Sequence, residues 1–219
     1  PMVVLGAIAD ISVGRLFLGG AVPGLLIGVA LMGICYWQAL RRGYGTFGIF
    51  SWRKLWAGFQ RAFLPMLTPI IILAGFVLGV FTPTEAAVVA SLYAFVLSGF
   101  VYRRLRWRAV FKCFIEVGVT SSATMIIIGA AAVFGLIIAR ENVADGVTAA
   151  LTSITTSPVF MMVILALFWI IVGLFLEAGA AMVLMVPVIM PVVNLLGIDH
   201  VHFGVVTVMT LMLGLLTPP

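Results

Sequence analysis

The chain has 219 residues, of which 64% are hydrophobic and only 9% charged, with a mean hydropathy of +1.31. Soluble domains carry about 25% charged residues, so this composition excludes a soluble globule, a disordered segment and a secreted disulfide scaffold. The net charge of +5 fits a membrane protein whose Lys and Arg collect in cytoplasmic loops, and gives no ground for nucleic-acid binding. A transmembrane barrel would alternate apolar and polar residues in strands of about ten. The long unbroken apolar runs here predict helices instead.

A crossing helix needs about 20 apolar residues. Residues 1–9 are apolar but shorter than that, as if the chain began halfway through a membrane, and DISVGRLFLG at 10–19 is the first polar break. Residues 20–40 form a full span that stops at Arg41 and Arg42. Cys35 lies in that run and Cys113 in a basic loop, which predicts two thiols and no disulfide. SWRKLWAGFQRAF (51–63) combines Trp with Arg and Lys, as interfacial helices do. Residues 64–81 make a short span entered through Pro65 and Pro69, and Thr82-Pro83 breaks it. Thr82, Pro83 and Glu85 then have the spacing of a capping box: a hydroxyl N-cap, proline at the first helical position and a carboxylate at the third. The span that follows climbs to Arg103, Arg104, Arg106 and Arg108.

Residues 117–139 form an uncharged span ending at Arg140-Glu141, and 141–157 read as a short amphipathic surface helix stopped by Pro158. Ten of the twelve basic residues lie between Arg41 and Lys112, and none follows Pro158. Basic loops stay inside, which puts 41–63 and 103–114 in the cytoplasm and starts the base-free stretch 141–219 on the far side. Residues 158–198 are long enough for two crossings, yet their middle, GLFLEAGAA, contains Glu177 and lacks any base. Two full spans and a hairpin that turns inside the membrane are both open on this pattern, since irregular backbone at that depth is tolerated where it lines a cavity.

Glu177 is the sharpest single feature. A carboxylate at mid-membrane costs about 2.5–3.5 kcal/mol on insertion scales and usually faces a cavity or an ion path; an exposed loop Glu is the plainer reading. In GLLTPP, Pro218 and Pro219 remove two N–H donors, so the carbonyls around Leu213 and Gly214 need another partner, such as a desolvated sodium ion, or else the helix ends at the interface. Asp199, His200 and His202 in GIDHVHF resemble metal ligands in type, but no third His exists, and an interfacial loop is the expectation. No HExxH, GxSxG or Walker motif occurs. Pro1 in place of Met, and Pro218-Pro219 closing an apolar run, suggest an internal piece of a longer protein.

GVFTPTEAAVVASLYAFVLSGFVYRRL, then GLFLEAGAAMVLMVPVIMPVVNLLGIDHVHFGVV, then GLLTPP, together with the opening PMVVLGAIADISVGRLFLGGAVPGLLIGV, closely resemble the DctM-like large membrane subunit of TRAP transporters over the whole chain. That resemblance implies an all-α integral membrane fold of the ion-transporter superfamily: an inverted-repeat, elevator-type secondary transporter with re-entrant hairpins and broken helices. It implies four regions. Residues 1–19 would end the first broken helix with its far-side loop, and 20–114 would be scaffold spans with cytoplasmic basic loops. Residues 115–157 would be a span plus a periplasmic-side amphipathic helix, and 158–219 the second hairpin with the first half of the second broken helix, the transport domain.

By the same resemblance, ion and substrate binding falls to Gly173, Leu176, Glu177, Ala178, Gly214, Thr217 and Pro218, with sodium held by Gly173, Glu177, Gly214 and Thr217. Many relatives carry Asp where this chain has Glu177, which leaves ion ligand, hairpin brace and support for the ligands open as its roles. The implied activity is sodium-coupled import of an organic acid, a dicarboxylate, sialic acid or similar, across the bacterial inner membrane. Implied partners are a small DctQ-like membrane subunit and a periplasmic DctP-like binding protein; no cofactor is expected beyond sodium as coupling ion. A related symporter working without a binding protein, an intramembrane enzyme using Glu85 and Glu177, and a purely structural subunit are the alternatives.

Overall fold

The computed structural model describes residues 1–43, 51–103 and 105–216, without the side chains of Arg61 and Ala139. Among them the chain is helical throughout. In order the helices are α1 (Met2–Ala9), α2 (Val13–Arg42), α3 (Trp52–Val77), α4 (Pro83–Val96), α5 (Trp107–Arg140), α6 (Val143–Ile154), α7 (Pro158–Phe175), α8 (Ala178–Leu195) and α9 (His200–Leu216). Among the described residues five spans are long and apolar enough to cross a bilayer: α2, α5, α7, α8, and α4 as it continues through a π-helical turn to Val101; α3, bent by 51° between Gln60 and Ala62, makes a sixth candidate. On α2 and α5, Leu25, Leu26, Met125 and Ile126 are each about two-thirds or more exposed. Such continuous apolar surface is incompatible with water and expected in lipid. With the helix count, it makes this a multi-pass membrane protein.

Several boundaries differ from those predicted. The polar break is shorter than 10–19: Asp10 closes α1 in the left-handed conformation (φ 53°, ψ 43°), and α2 begins at Val13, so Arg15 is already helical. The bend in α3 falls at residue 61, not at Pro65 or Pro69, which lie inside the helix. Helix α5 starts ten residues before the expected span, inside the basic stretch, where Lys112 and Glu116 pair at 3.6 Å across one turn. Where an interfacial loop was expected, His200 and His202 lie in the first turn of α9, with Asp199 just before it.

The chain forms two compact units, Gly20–Ala109 and Pro1–Gly19 with Val110–Pro219. In the former, α3 packs on α4, and the Tyr93 hydroxyl donates to the Leu64 carbonyl at 2.9 Å. Thr82 and Glu85 cap α4 reciprocally: the Thr82 N–H and hydroxyl donate to Glu85 Oε2 at 2.7 and 2.8 Å, and the Glu85 N–H donates back to Thr82 Oγ1 at 3.4 Å. Cys35 and Cys113 are free thiols, both exposed.

The other unit holds the core. Leu5, Leu16, Trp169, Met182, Val186, Val192, Phe203 and Leu211 are fully buried. Lipid tails are as apolar as Leu, so helices in a membrane are held by close packing, and small residues at the contacts are what permit it. Gly204 of α9 shows the effect: a Cβ there would meet Leu16 Cδ2 at 2.6 Å and Leu5 Cδ2 at 3.0 Å, so α1 and the first turn of α2 seat directly on the α9 backbone. Pro158 and Val159 line one cavity with Gly197 and Ile198, so the chain returns at the end of α8 to the level at which it entered α7. Residues 158–198 are a helical hairpin. Its arms make little contact with each other; α7 packs along α9, and α8 against α1 and α6.

Candidate functional site

The sequence directs attention to the closed end of this hairpin. Helix α7 stops at Phe175, and Leu176 (φ −116°, ψ 142°) and Glu177 (φ −62°, ψ 141°) are extended before α8 begins at Ala178. The break needs no glycine at the turn itself, because both residues occupy ordinary extended backbone. Glu177 is the N-cap of α8: its Oε2 accepts from the Ala180 N–H at 3.1 Å. Here the Glu177 carboxylate satisfies a free N–H, as the shorter Asp does at preferred N-caps, and opposes the positive end of the helix dipole. Gly179 leaves room for that cap, since a Cβ there would lie 3.0 Å from Glu177 Oε2. Glu177 is exposed, Leu176 half-buried and Ala178 buried. Of the three roles open to Glu177, bracing the tip is the one with a visible bond.

Gly173 and Gly214 meet. Both are buried. A Cβ on Gly173 would stand 2.5 Å from the Leu211 carbonyl oxygen, and one on Gly214 would be 3.0 Å from Gly173 Cα and would run into the Ile170 carbonyl. The last turn of α7 and the last turns of α9 therefore touch backbone to backbone. Farther back, Met162 and Ala166 line one cavity with His202 and Val206, so residue numbers climb together along both helices and α7 and α9 run parallel. Of the expected site residues, Gly173 and Gly214 thus meet between the last turns of α7 and α9, and Leu176, Glu177 and Ala178 follow directly on α7 in the turn to α8. Thr217 and Pro218 lie outside the described residues.

Two residues in this layer carry no mark in the sequence. Trp169 and Thr207 lie one turn before Gly173 on α7 and one turn before Leu211 on α9. Both are fully buried, and neither Trp169 Nε1 nor Thr207 Oγ1 has a hydrogen-bond partner. Thr210, by contrast, donates to the Val206 carbonyl at 2.7 Å, the usual outlet for a helical hydroxyl. A buried unpaired donor costs about 1–3 kcal/mol. A lone Thr in an apolar run does not announce such a position, because burial on one face is decided by the neighbouring helix.

At the hairpin's open end, Asp199 Oδ1 accepts from the His202 N–H at 2.8 Å and so caps α9. His200 Nε2 lies 2.7 Å from Asn194 Oδ1. These groups have structural partners, and no group of three or more metal-ligating side chains occurs among the described residues.

Residues 1–219 match the family model described as the tripartite ATP-independent periplasmic transporter, DctM component. The chain is 39% identical over its whole length to the sialic acid TRAP transporter large permease protein SiaM of Vibrio cholerae, covering 51% of that protein. It is 36% identical over its whole length to the isethionate TRAP transporter permease protein DctMQ of Oleidesulfovibrio alaskensis, covering 35% of it. The C4-dicarboxylate TRAP transporter large permease protein DctM of Pseudomonas aeruginosa is 35% identical, again over the whole chain and 51% of the relative. The chain thus spans about half the length, or less, of these relatives.

Proposed function

This chain belongs to the DctM component family of tripartite ATP-independent periplasmic transporters, a family of transporters and not of enzymes, and from that premise we propose that it forms the sodium-binding part of a large permease subunit that imports an organic acid. The whole permease would sit in the bacterial inner membrane, work with a small membrane subunit, and receive substrate from a periplasmic binding protein. Residues 158–198 would be a re-entrant hairpin, and α9 the first half of a broken helix. An elevator motion of the hairpin-bearing part would give alternating access.

The observation that carries this reading is the contact of Gly173 with Gly214. It sets the hairpin tip against the end of α9 with no side chains between the two backbones. Two helix C-termini that meet within a membrane bring backbone carbonyls close together, and secondary transporters hold Na⁺ at such carbonyl ends. Gly173 and Gly214, with Thr217 and Pro218, would supply the sodium oxygens, while Leu176, Glu177 and Ala178 form the tip that closes over them. Glu177, by capping α8, holds that tip in shape.

The test is uptake by the full-length parent, reconstituted in liposomes with its small subunit and candidate binding proteins. Labelled organic acid is expected to enter only when an inward sodium gradient and a binding protein are both present. Uptake with sodium but without a binding protein would move the protein to a different mode of symport, and sodium-independent uptake would remove the ion site altogether. Orientation is checked separately. With the basic stretch 103–112 inside, a membrane-impermeant maleimide is expected to label exposed Cys113 in inside-out vesicles and not in right-side-out ones; the reverse pattern would invert the topology.

A further inference from the structure

The open end of the hairpin contains a second pocket that the proposed transport site does not use. Its volume is about 450 Å³, and it lies where the α1–α2 turn meets the α8–α9 turn, lined among others by Asp10, Ser12, Arg15, Asn194, Asp199 and His200. All of it belongs to one compact unit. The pocket is of the size that takes a small organic molecule. Its floor is apolar, since Ile11 and Ile198 are buried.

The polar groups differ in how far they are already committed. Asp199 Oδ1 is bonded at the start of α9, and Asn194 with His200. Ser12 Oγ accepts from the Arg15 N–H at 3.5 Å, a long bond. The Arg15 guanidinium has no ion pair among the described residues, although Asp10 and Asp199 line the same pocket. Arg15 is moreover one of only two basic residues outside the stretch 41–112. A guanidinium is a planar fork matched to a carboxylate. Asp10 and Asp199 line the pocket with Arg15, so it is rich in acceptors and formally net negative, and it repels a dianion more strongly than a monoanion.

We infer that this pocket is a binding site for a hydroxylated monocarboxylate, whose carboxylate pairs with Arg15 and whose hydroxyls donate to Asp10 and to the free oxygen of Asp199. A simple dicarboxylate fits the first half of that pattern and fails the second. On the proposed orientation the pocket opens on the side from which substrate arrives, and would serve as a vestibule that selects sugar-acid-like substrates ahead of the hairpin tip. The vestibular role rests on the transport reading; binding itself does not.

The experiment uses purified full-length parent with its small subunit, and reads the rate at which phenylglyoxal modifies Arg15 by peptide mass spectrometry. The probes are D-gluconate, succinate, sorbitol and sodium chloride at matched ionic strength. D-gluconate is expected to slow modification of Arg15 at least fivefold, with the other three leaving it within twofold. In Asp10→Asn, which keeps a residue that tolerates the left-handed backbone, succinate is expected to protect as well. Equal protection by succinate and gluconate in the unmodified protein, or none by gluconate, would overturn the inference. Protection of Arg15 alongside uptake that ignores sodium would defeat the transport reading and leave this site standing; sodium-driven uptake with no protection would do the opposite.

Discussion

Gly214→Ala in the full-length parent is expected to reduce sodium-driven uptake more than tenfold, and Gly173→Ala to do the same. A methyl group on Gly214 has nowhere to go: it would run into the Ile170 carbonyl while lying 3.0 Å from Gly173 Cα. Both obstacles are backbone, so no rotamer change relieves them, and α7 and α9 must separate. Overpacking of this kind costs about 1–3 kcal/mol. It would also pull apart the two helix ends proposed to share an ion, so a fall in apparent sodium affinity should accompany the loss of rate. The control is Gly118→Ala on α5, where a Cβ meets none of the described residues within 4 Å and uptake should be unchanged. Full activity in Gly214→Ala would show that the glycine contact is packing without consequence for transport.

The second large effect concerns Glu177. Loss of an N-cap side chain costs about 1 kcal/mol, within a range of 0.5–2. At the tip of a hairpin whose arms make little contact with each other, that amount decides whether Leu176 to Ala180 keep their shape. Glu177→Ala is expected to raise the sodium concentration for half-maximal uptake several-fold. Asp and Asn are both good N-caps, so Glu177→Asp and Glu177→Asn should each restore the unmodified titration. Rescue by Asp alone would mean that the negative charge itself meets the ion, and Glu177 would then be a ligand as well as a brace. An unchanged titration in Glu177→Ala would detach the tip from the sodium site.

These two expectations share a physical basis. A membrane interior gives no hydrophobic reward for bringing helices together, so geometry at small-residue contacts and at helix ends dominates. That is also why the Asp199 cap and the Asn194–His200 pair have weight at the other end of the hairpin. They fix the short turn from α8 to α9, and with it the vestibule around Arg15.

Much of this protein was determined by sequence. Apolar run lengths set the number of candidate spans, because a crossing helix must match the bilayer. The spacing of Thr82, Pro83 and Glu85 spells a local cap that needs no tertiary partner, and the structure contains its hydrogen bonds. Glu177 between two glycines marked a break in the apolar run, while two full spans and a hairpin both stayed open on that pattern. Boundaries near charges were less legible: α2 starts at Val13 and α5 at Trp107 because Arg and Lys are good helix formers whose polarity says little about backbone conformation.

Only the tertiary structure decided which residues meet. Nothing local distinguishes Gly173 and Gly214, which pack backbone to backbone, from Gly118, where a Cβ would meet none of the described residues within 4 Å. Nor does the sequence tell Thr207, buried with a free hydroxyl, from Thr210, which bonds one turn back. It is equally silent on Arg15 facing Asn194 and Asp199 across a shared pocket, more than 170 residues away in the chain. Secondary structure follows from neighbours within a few positions. A site follows from which helix faces pack together, and in an apolar chain every face looks alike until packing separates them.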